Sequence, residues 1–421
     1  MKVYFESYGC TMNKGEALIM EALVEGRGHS VVSTVADADI AVLVTCVVIE
    51  STERRMRKRI DTLRSAGKPV VVAGCMASVV SPSIEDVRLL EPRYLHHIND
   101  VIEGGTGPFT YESKASLPRR VDDLRGILSI AEGCRSRCTY CITRLARGKL
   151  KSYPLPDLLG TAGTLVSSGC KEILLTGQDT AAYGSDTNCS LPELIGGITS
   201  VPGDYRIRIG MMNPASVMPI LNELREAYTN EKVYKFLHLP VQSGSDALLR
   251  KMGRGYAIGD FRAIVHAFRS RFPDLVLSTD VIVGFPTESE EHFLQTRDLL
   301  NEIRPDIINI TRFSPRPGTP AYDMDGKVHG RIMKERSRLL TKLRIEIGKG
   351  VNEGYLGRKK TVLVTERGKN GTVIGRMDNY KPVVLGDGVP LGDRVDVQLV
   401  GYTPTYLWGI SDGGNDNDND R

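Results

Sequence analysis

Apolar, β-branched runs alternate with helical patterns along most of this chain, and several of the runs end in cysteine. Runs of that kind fit strands buried on both faces, and their alternation with helices gives parallel sheets. In the first part, residues 1–110, the strand candidates are VYFESYG, DIAVLVTC and PVVVAGC. Helical patterns over Lys14–Glu25 and Ser51–Ala66 separate them. Cys10, Cys46 and Cys75 therefore share one structural position, the carboxyl end of a strand. In an open parallel sheet those ends line one edge, where ligands bind. Three cysteines distant in sequence are expected to meet there.

The second part, residues 122–345, alternates in the same way. ILSIAEGC, KEILLTGQ, YRIRIGMM, YKFLHLPV, LVLSTDVIVGF and IINITRFSP are strand candidates, with helices such as Leu155–Ser168 and Gly259–Arg271 between them. Strand–helix units in this number predict a (β/α)6-type barrel or partial barrel with chemistry at the carboxyl ends of its strands. Gln178, Asp179, Asn213, Gln242, Ser243, Asp280 and Arg316 cluster there. Residues 104–121 have no periodicity and read as a linker. Residues 350–411 change to short alternating strands with Gly and Asp turns, which predicts a small all-β barrel. Residues 412–421 hold four Asp and one Arg and read as a disordered acidic tail. The expected fold class is thus α/β, an open parallel domain and a partial barrel, closed by a small all-β barrel.

With 41% hydrophobic and 25% charged residues, the composition fits a soluble globular protein and excludes a disordered, collagen-like or disulfide-stapled chain. No run of about 18 apolar residues exists, so no membrane helix is expected. The first residues lack an apolar leader, which points to the cytoplasm. Disulfides are not expected in that compartment, so eight cysteines need another account.

Cys134-Arg-Ser-Arg-Cys138-Thr-Tyr-Cys141 spells C-x3-C-x2-C directly after a strand candidate. Three thiolates on a tight loop can each ligate one iron of a [4Fe–4S] cube, leaving the last iron open to the amine and carboxylate of a small molecule. Zinc is the alternative, but a structural zinc site takes four protein ligands, and no further Cys or His follows nearby. Unrelated buried cysteines are the other alternative.

The triplet, with an aromatic before its last cysteine, resembles the radical S-adenosylmethionine (SAM) superfamily. The resemblance implies that the open iron chelates SAM, that reductive cleavage yields a 5′-deoxyadenosyl radical, and that Tyr140 packs by the adenine. ESYGCTMNKGE, LVTCVV and VVAGCMA resemble the N-terminal domain of the methylthiotransferases, where the cysteines matching Cys10, Cys46 and Cys75 hold a second [4Fe–4S] cluster. The C-terminal strands resemble the TRAM RNA-binding module. The ligand set so implied is Cys10, Cys46, Cys75, Cys134, Cys138 and Cys141. CITRLARGKLKSYP, TGQDTAAYG, RIGMMNP, FLHLPVQSGSDALLRKM, STDVIVGFPTE and PRPGTPAY look like the archaeal and eukaryotic branch. That branch is implied to convert N6-threonylcarbamoyladenosine at position 37 of tRNA to its 2-methylthio form. The absence of a membrane anchor favours the archaeal type.

C2 of adenine is an unactivated carbon, so a cofactor must carry the hard step. The resemblance supplies two [4Fe–4S] clusters, SAM and an electron donor of the flavodoxin or ferredoxin type. Thr176, Gly177, Gln178 and Asp179 end the second barrel strand, where related enzymes hold the SAM amino group. Arg208 is a candidate for the carboxylate, and Gln242 and Asp280 for ribose or substrate. Three groups of basic residues suit tRNA phosphates: Arg54–Arg59, Arg135–Lys151 including Arg147, and Arg358–Lys381 including Arg376; the alternative is a solvated helix face or strand edge, and for Arg54–Arg59 alone that is the favoured reading. Cys170, Cys189, His96 and His97 read as structural. Rival readings are a methylthiotransferase for isopentenyladenosine or for a ribosomal-protein aspartate, and a non-catalytic iron–sulfur RNA-binding protein.

Overall fold

The computed structural model describes residues 1–79 and 86–411. The acidic tail expected at 412–421 lies outside the described residues. Strands β1 (Lys2–Ser7), β2 (Ser30–Val32), β3 (Ile40–Thr45), β4 (Val70–Gly74) and β5 (Arg88–Leu90) form a parallel sheet in the order β2-β1-β3-β4-β5. β3 and β4 lie in its middle and every residue in them is buried, which is why they read as unbroken apolar runs. Helix α1 (Thr11–Gly26) covers one face with Ala17, Ile19, Met20 and Val24. Helix α2 (Glu50–Ser65) covers the other with Met56, Ile60 and Leu63, a single helical stripe. α1 begins before the expected Lys14 because Cys10, in extended conformation, already caps it. Cys10, Cys46 and Cys75 follow β1, β3 and β4, which are neighbours in the sheet.

The central part contains β6 (Arg125–Ser129), a short pair β7 (Ala131–Glu132) and β8 (Lys151–Ser152), then β9 (Glu172–Thr176), β10 (Arg206–Arg208), β11 (Phe236–His238), β12 (Val276–Val283) and β13 (Ile307–Arg312). β6-β9-β10 and β11-β12-β13 are two parallel sheets, joined where Ile207 bridges Val233. The six strands run in chain order with β6 and β13 at the edges, a partial barrel. One side-chain row, with Leu128, Ile173, Leu175 and Ile207, packs under the outer helices. The alternate row, with Ile127, Leu174 and Arg208 in register, faces the lumen. α1 lies against β6, so close that a Cβ on Gly15 would come within 2.6 Å of Ile127.

β14 (Lys359–Arg367), β15 (Val373–Arg376), β16 (Pro382–Leu385), β17 (Arg394–Tyr402) and β18 (Leu407–Ser411) close into a small barrel. It is bolted to the larger one. The turn after β15 carries Tyr380 into the amino-terminal end of the lumen, with ring centroids 4.9 Å from Tyr234 and 5.1 Å from Phe236. Its hydroxyl donates to Glu172 Oε1 at 3.1 Å. Tyr380 holds φ at +69°, a left-handed conformation that a bulky residue adopts only where packing demands it. Lys381 donates to Asp306 at 3.0 Å, and Asn379 to the Asp274 carbonyl at 2.9 Å.

Residues 104–121 contain no helix or strand, as the sequence suggests. They do not form a loose tether, because Lys114 is buried. Its Nζ donates to Glu16 Oε1 at 2.7 Å and Glu132 Oε1 at 3.0 Å. Arg147 donates to both Glu16 oxygens and reaches Glu132 at 3.5 Å. Two cations and two carboxylates thus neutralise one another where the N-terminal sheet, the linker and the barrel meet. Burial would raise the Glu16 pKa from 4.5, but Arg147 and Lys114 overrule it and hold it down at about 2. A carboxylate depressed in this way stabilises the fold above its unfolded value and loses that contribution as pH falls through the folded one. Glu16→Ala is expected to cost about 3–5 kcal/mol near neutrality, since it leaves buried cations uncompensated. It should also flatten the acid unfolding limb between pH 4.5 and about 2, followed by circular dichroism.

Candidate functional site

The triplet loop leaves β7 through Gly133, whose φ is +75°. A Cβ there would lie 2.0 Å from the Lys149 carbonyl oxygen, so no side chain fits. Cys134 is held by its N–H to the Gly148 carbonyl at 3.3 Å, and Thr139 by its N–H to Met252 at 3.0 Å. Cys141 caps the helix Ile142–Arg147. The sulfurs accept N–H groups: Ser136 N lies 3.4 Å from Cys134 Sγ, and Arg254 Nη1 3.2 Å from Cys138 Sγ. Such donors favour thiolate ligands. Burial pushes the Cys134 thiol up to about 11 and raises that of Cys141, so a metal bound by these thiols would release protons.

All three sulfur residues line one cavity of about 370 Å³, together with Tyr140, Thr176, Gly177, Gln178, Asp179, Arg208 and Gln242. The same wall includes Cys10 from the N-terminal sheet. Among the described residues no three His, Cys, Asp or Glu side chains are placed to hold a single metal ion. Three separate thiols beside a chamber fit a cube in which each ligates its own iron. A buried acceptor also lacks a partner: Gln178 Oε1, while its Nε2 faces Met12 Sδ at 2.7 Å. An ammonium group beside the cluster would satisfy that acceptor, so the residues present fit SAM as well.

The other expected contacts separate. Asp179 is spent on the wall, accepting from the Asn213 N–H at 2.9 Å and the Ser216 hydroxyl at 2.7 Å. Asp280 is absent from the cavity wall; it accepts from His238 Nε2 at 3.1 Å and Asn309 Nδ2 at 2.8 Å. Burial opposes its charge, yet those two partners hold its pKa low. Gln242 sits at φ +66°, where its N–H bonds the Asp280 carbonyl at 2.8 Å. The sequence reading missed Arg254, His238 and Asn13. Arg254 carried a signal, because the glycines on either side of it both have positive φ and turn its side chain inward.

The N-terminal cysteines are knitted together by Asn13 and Arg147. Asn13 Nδ2 donates to the Tyr8 and Thr45 carbonyls at 2.7 and 2.9 Å, and its Oδ1 lies 3.7 Å from Cys10 Sγ. Arg147 Nη2 donates to Asn13 Oδ1 at 2.9 Å, and its Nε lies 3.4 Å from Cys75 Sγ. Gly74 precedes Cys75 at φ +84°, and a Cβ there would strike the Thr45 carbonyl at 2.7 Å. The helix Ile142–Arg147 therefore begins at one cysteine set and ends on the other. Arg147 is buried and paired, which removes it from the phosphate-binding group expected around the triplet. Lys381 and Arg376 leave the C-terminal group for the same reason, one buried on Asp306 and the other bonded to Glu366. Arg135, Arg137, Lys149, Lys151, Arg54, Arg55, Lys58, Arg358, Arg367 and Lys369 are exposed.

Residues 128–300 match the radical SAM superfamily, and residues 353–410 match the TRAM domain. Residues 2–90 match the uncharacterized protein family UPF0004. The barrel and its triplet loop thus define a radical SAM protein, with SAM and a [4Fe–4S] cluster as its cofactors. A probable threonylcarbamoyladenosine tRNA methylthiotransferase of Pyrococcus horikoshii is 43% identical, over 97% of this chain and 99% of the relative. The threonylcarbamoyladenosine tRNA methylthiotransferase of Drosophila melanogaster is 35% identical, over 94% of this chain and 75% of that one. The chain belongs to this family of radical SAM methylthiotransferases. The fold is shared with the radical SAM methyltransferase TsrM of Kitasatospora setae, with a TM-score of 0.53 at 14% identity over 76% of this chain and 77% of that one. No helix among the described residues is long and apolar enough to cross a membrane.

Arg254→Met is expected to keep the fold but remove the N–H donor to Cys138. Loss of such a supporting contact typically costs about 10–100-fold in metal affinity or activity. Iron retention of the reconstituted protein against a chelator measures it.

Proposed function

We propose that this chain is a tRNA (N6-threonylcarbamoyladenosine-37-C2)-methylthiotransferase, which places a methylthio group on C2 of that base. One observation carries the reading: Cys10 of the N-terminal set and the whole triplet line a single cavity. A base held there touches both sulfur sets at once, as transfer of a sulfur group to carbon requires. Cys10, Cys46 and Cys75 hold a second [4Fe–4S] cluster in this reading, and Cys134, Cys138 and Cys141 the SAM-binding one. The bound groups supply the radical that activates C2 and the sulfur that replaces its hydrogen. The chain's own residues bind, orient and exclude water. Tyr140 walls the adenine of SAM with its ring edge-on to Phe285 at 6.3 Å. Gln178 Oε1 takes the SAM ammonium, and Thr176, Gly177 and Gln242 complete that wall. Asp179 and Asp280 act one step back, fixing Asn213 and His238. The exposed arginines and lysines of the triplet loop and the small barrel carry tRNA phosphates. The protein works in the cytoplasm with an electron donor of the flavodoxin or ferredoxin type.

Anaerobically reconstituted protein should lose about half its iron when Cys134, Cys138 and Cys141 are all changed to Ala. Changing Cys10, Cys46 and Cys75 instead should leave 5′-deoxyadenosine formation in place and abolish sulfur transfer. Nucleoside mass spectrometry of tRNA from a deletion strain should lack the 2-methylthio form and accumulate its precursor. An unaltered nucleoside profile there would refute the substrate assignment.

A further inference from the structure

A second cavity, of about 470 Å³, adjoins the SAM chamber. Cys10, Thr11 and Arg208 line both, so the two meet at those residues. The charges of the second chamber are unequal. Lys14 lies 2.5 Å from Asp122, and Arg125 lies 2.6 Å from Asp122 and 2.6 Å from Glu366. Arg208 is the cation that no carboxylate answers among the described residues, and its Nε is buried without a hydrogen-bond partner. Its guanidinium is held by stacking instead, 5.0 Å from the Phe236 ring centroid and 5.7 Å from that of Tyr380. A half-buried, oriented and unanswered guanidinium, its Nε closed off and its terminal nitrogens at the cavity wall, is built to receive a planar anion in bidentate fashion. Ile127 and Leu174 give the same chamber an apolar wall.

We propose that Arg208 binds the carboxylate of the threonylcarbamoyl group and so selects the substrate. The inference rests on the substrate proposed above and deepens it. With C2 of the base at Cys10, the N6 substituent leaves from the other side of N1 and enters the adjoining chamber. That substituent carries one carboxylate, one hydroxyl and one methyl group, which suits an arginine beside an apolar wall. An isopentenyl group would leave Arg208 desolvated and unpaired, which is how a polar site rejects an apolar analogue. The sequence alone offered Arg208 to the carboxylate of SAM. Arg208 borders both chambers, but its guanidinium stacks on Phe236, the first residue of β11, and on Tyr380, which lines the second chamber and not the first. Tyr380 is thereby a positioning residue: the small barrel shapes the specificity pocket from below.

The test uses the anaerobically reconstituted full chain and anticodon stem-loops bearing threonylcarbamoyladenosine, its neutral threonine-amide analogue, isopentenyladenosine or plain adenosine. The unaltered protein should bind the acid about 10–100-fold more tightly than the amide, the range expected of a charge-assisted bidentate pair. This arm needs no variant to fold. Arg208→Gln should bind acid and amide alike while retaining its iron content, and Arg208→Lys should restore part of the preference. Equal affinity of the unaltered protein for acid and amide would overturn the proposal. So would an Arg208→Gln protein that still prefers the acid, or one that loses SAM binding while its preference survives. Preference of the unaltered protein for the isopentenyl stem-loop would instead overturn the substrate reading on which the proposal rests.

Discussion

The buried tetrad of Glu16, Lys114, Glu132 and Arg147 is the interaction on which the rest of the site depends. Each member comes from a different segment: α1, the linker, β7 and the helix after the triplet. Removing charges from water is costly, and a buried ion pair repays that cost only when every charge is answered. Here two cations answer two carboxylates, and Arg147 still has donors left for Asn13 and Cys75 Sγ. The tetrad therefore fixes more than a domain interface. It sets the N-terminal cysteine edge against the triplet loop, because Arg147 and Cys141 sit at the two ends of one helix.

A partial barrel with unpaired edges leaves its lumen to be closed by something else. α1 covers the β6 edge, and Tyr380 fills the amino-terminal end of the lumen among Tyr234 and Phe236. The N-terminal sheet and the small barrel are therefore walls of the chamber as well as carriers of their own functions. Tyr380 accepts a strained backbone to do this, and strain persists only where surrounding packing over-determines it. Two adjoining chambers result, one holding the triplet and one lined by Ile127, Leu174 and Tyr380, with Arg208 in the wall of both.

The architecture and the positions of the two cysteine sets were legible in the sequence because both depend on local pattern. β3 and β4 are continuous apolar runs, and a strand of that kind has few places to go except the middle of a covered sheet. The spacing of Cys134, Cys138 and Cys141 is a property of one loop. Arg147 looked like one more cation in a basic run, and Lys114 like part of a polar linker. Nothing in their own neighbourhoods distinguishes a buried partner of Glu16 from a solvated phosphate contact.

The sequence by itself determined the strand–helix alternation, the small β-barrel, the two cysteine sets and their positions at strand ends. Only the tertiary structure decided that Cys10 shares a wall with the triplet, that Asp179 and Asp280 are already hydrogen-bonded, and that Arg208 meets no carboxylate among the described residues. The physical reason is range. Periodicity and turn chemistry act over a few residues. The pairing of a charge is settled by whatever the fold brings within about 4 Å of it; among the described residues no carboxylate comes that close to Arg208, which stacks on Phe236 and Tyr380 instead.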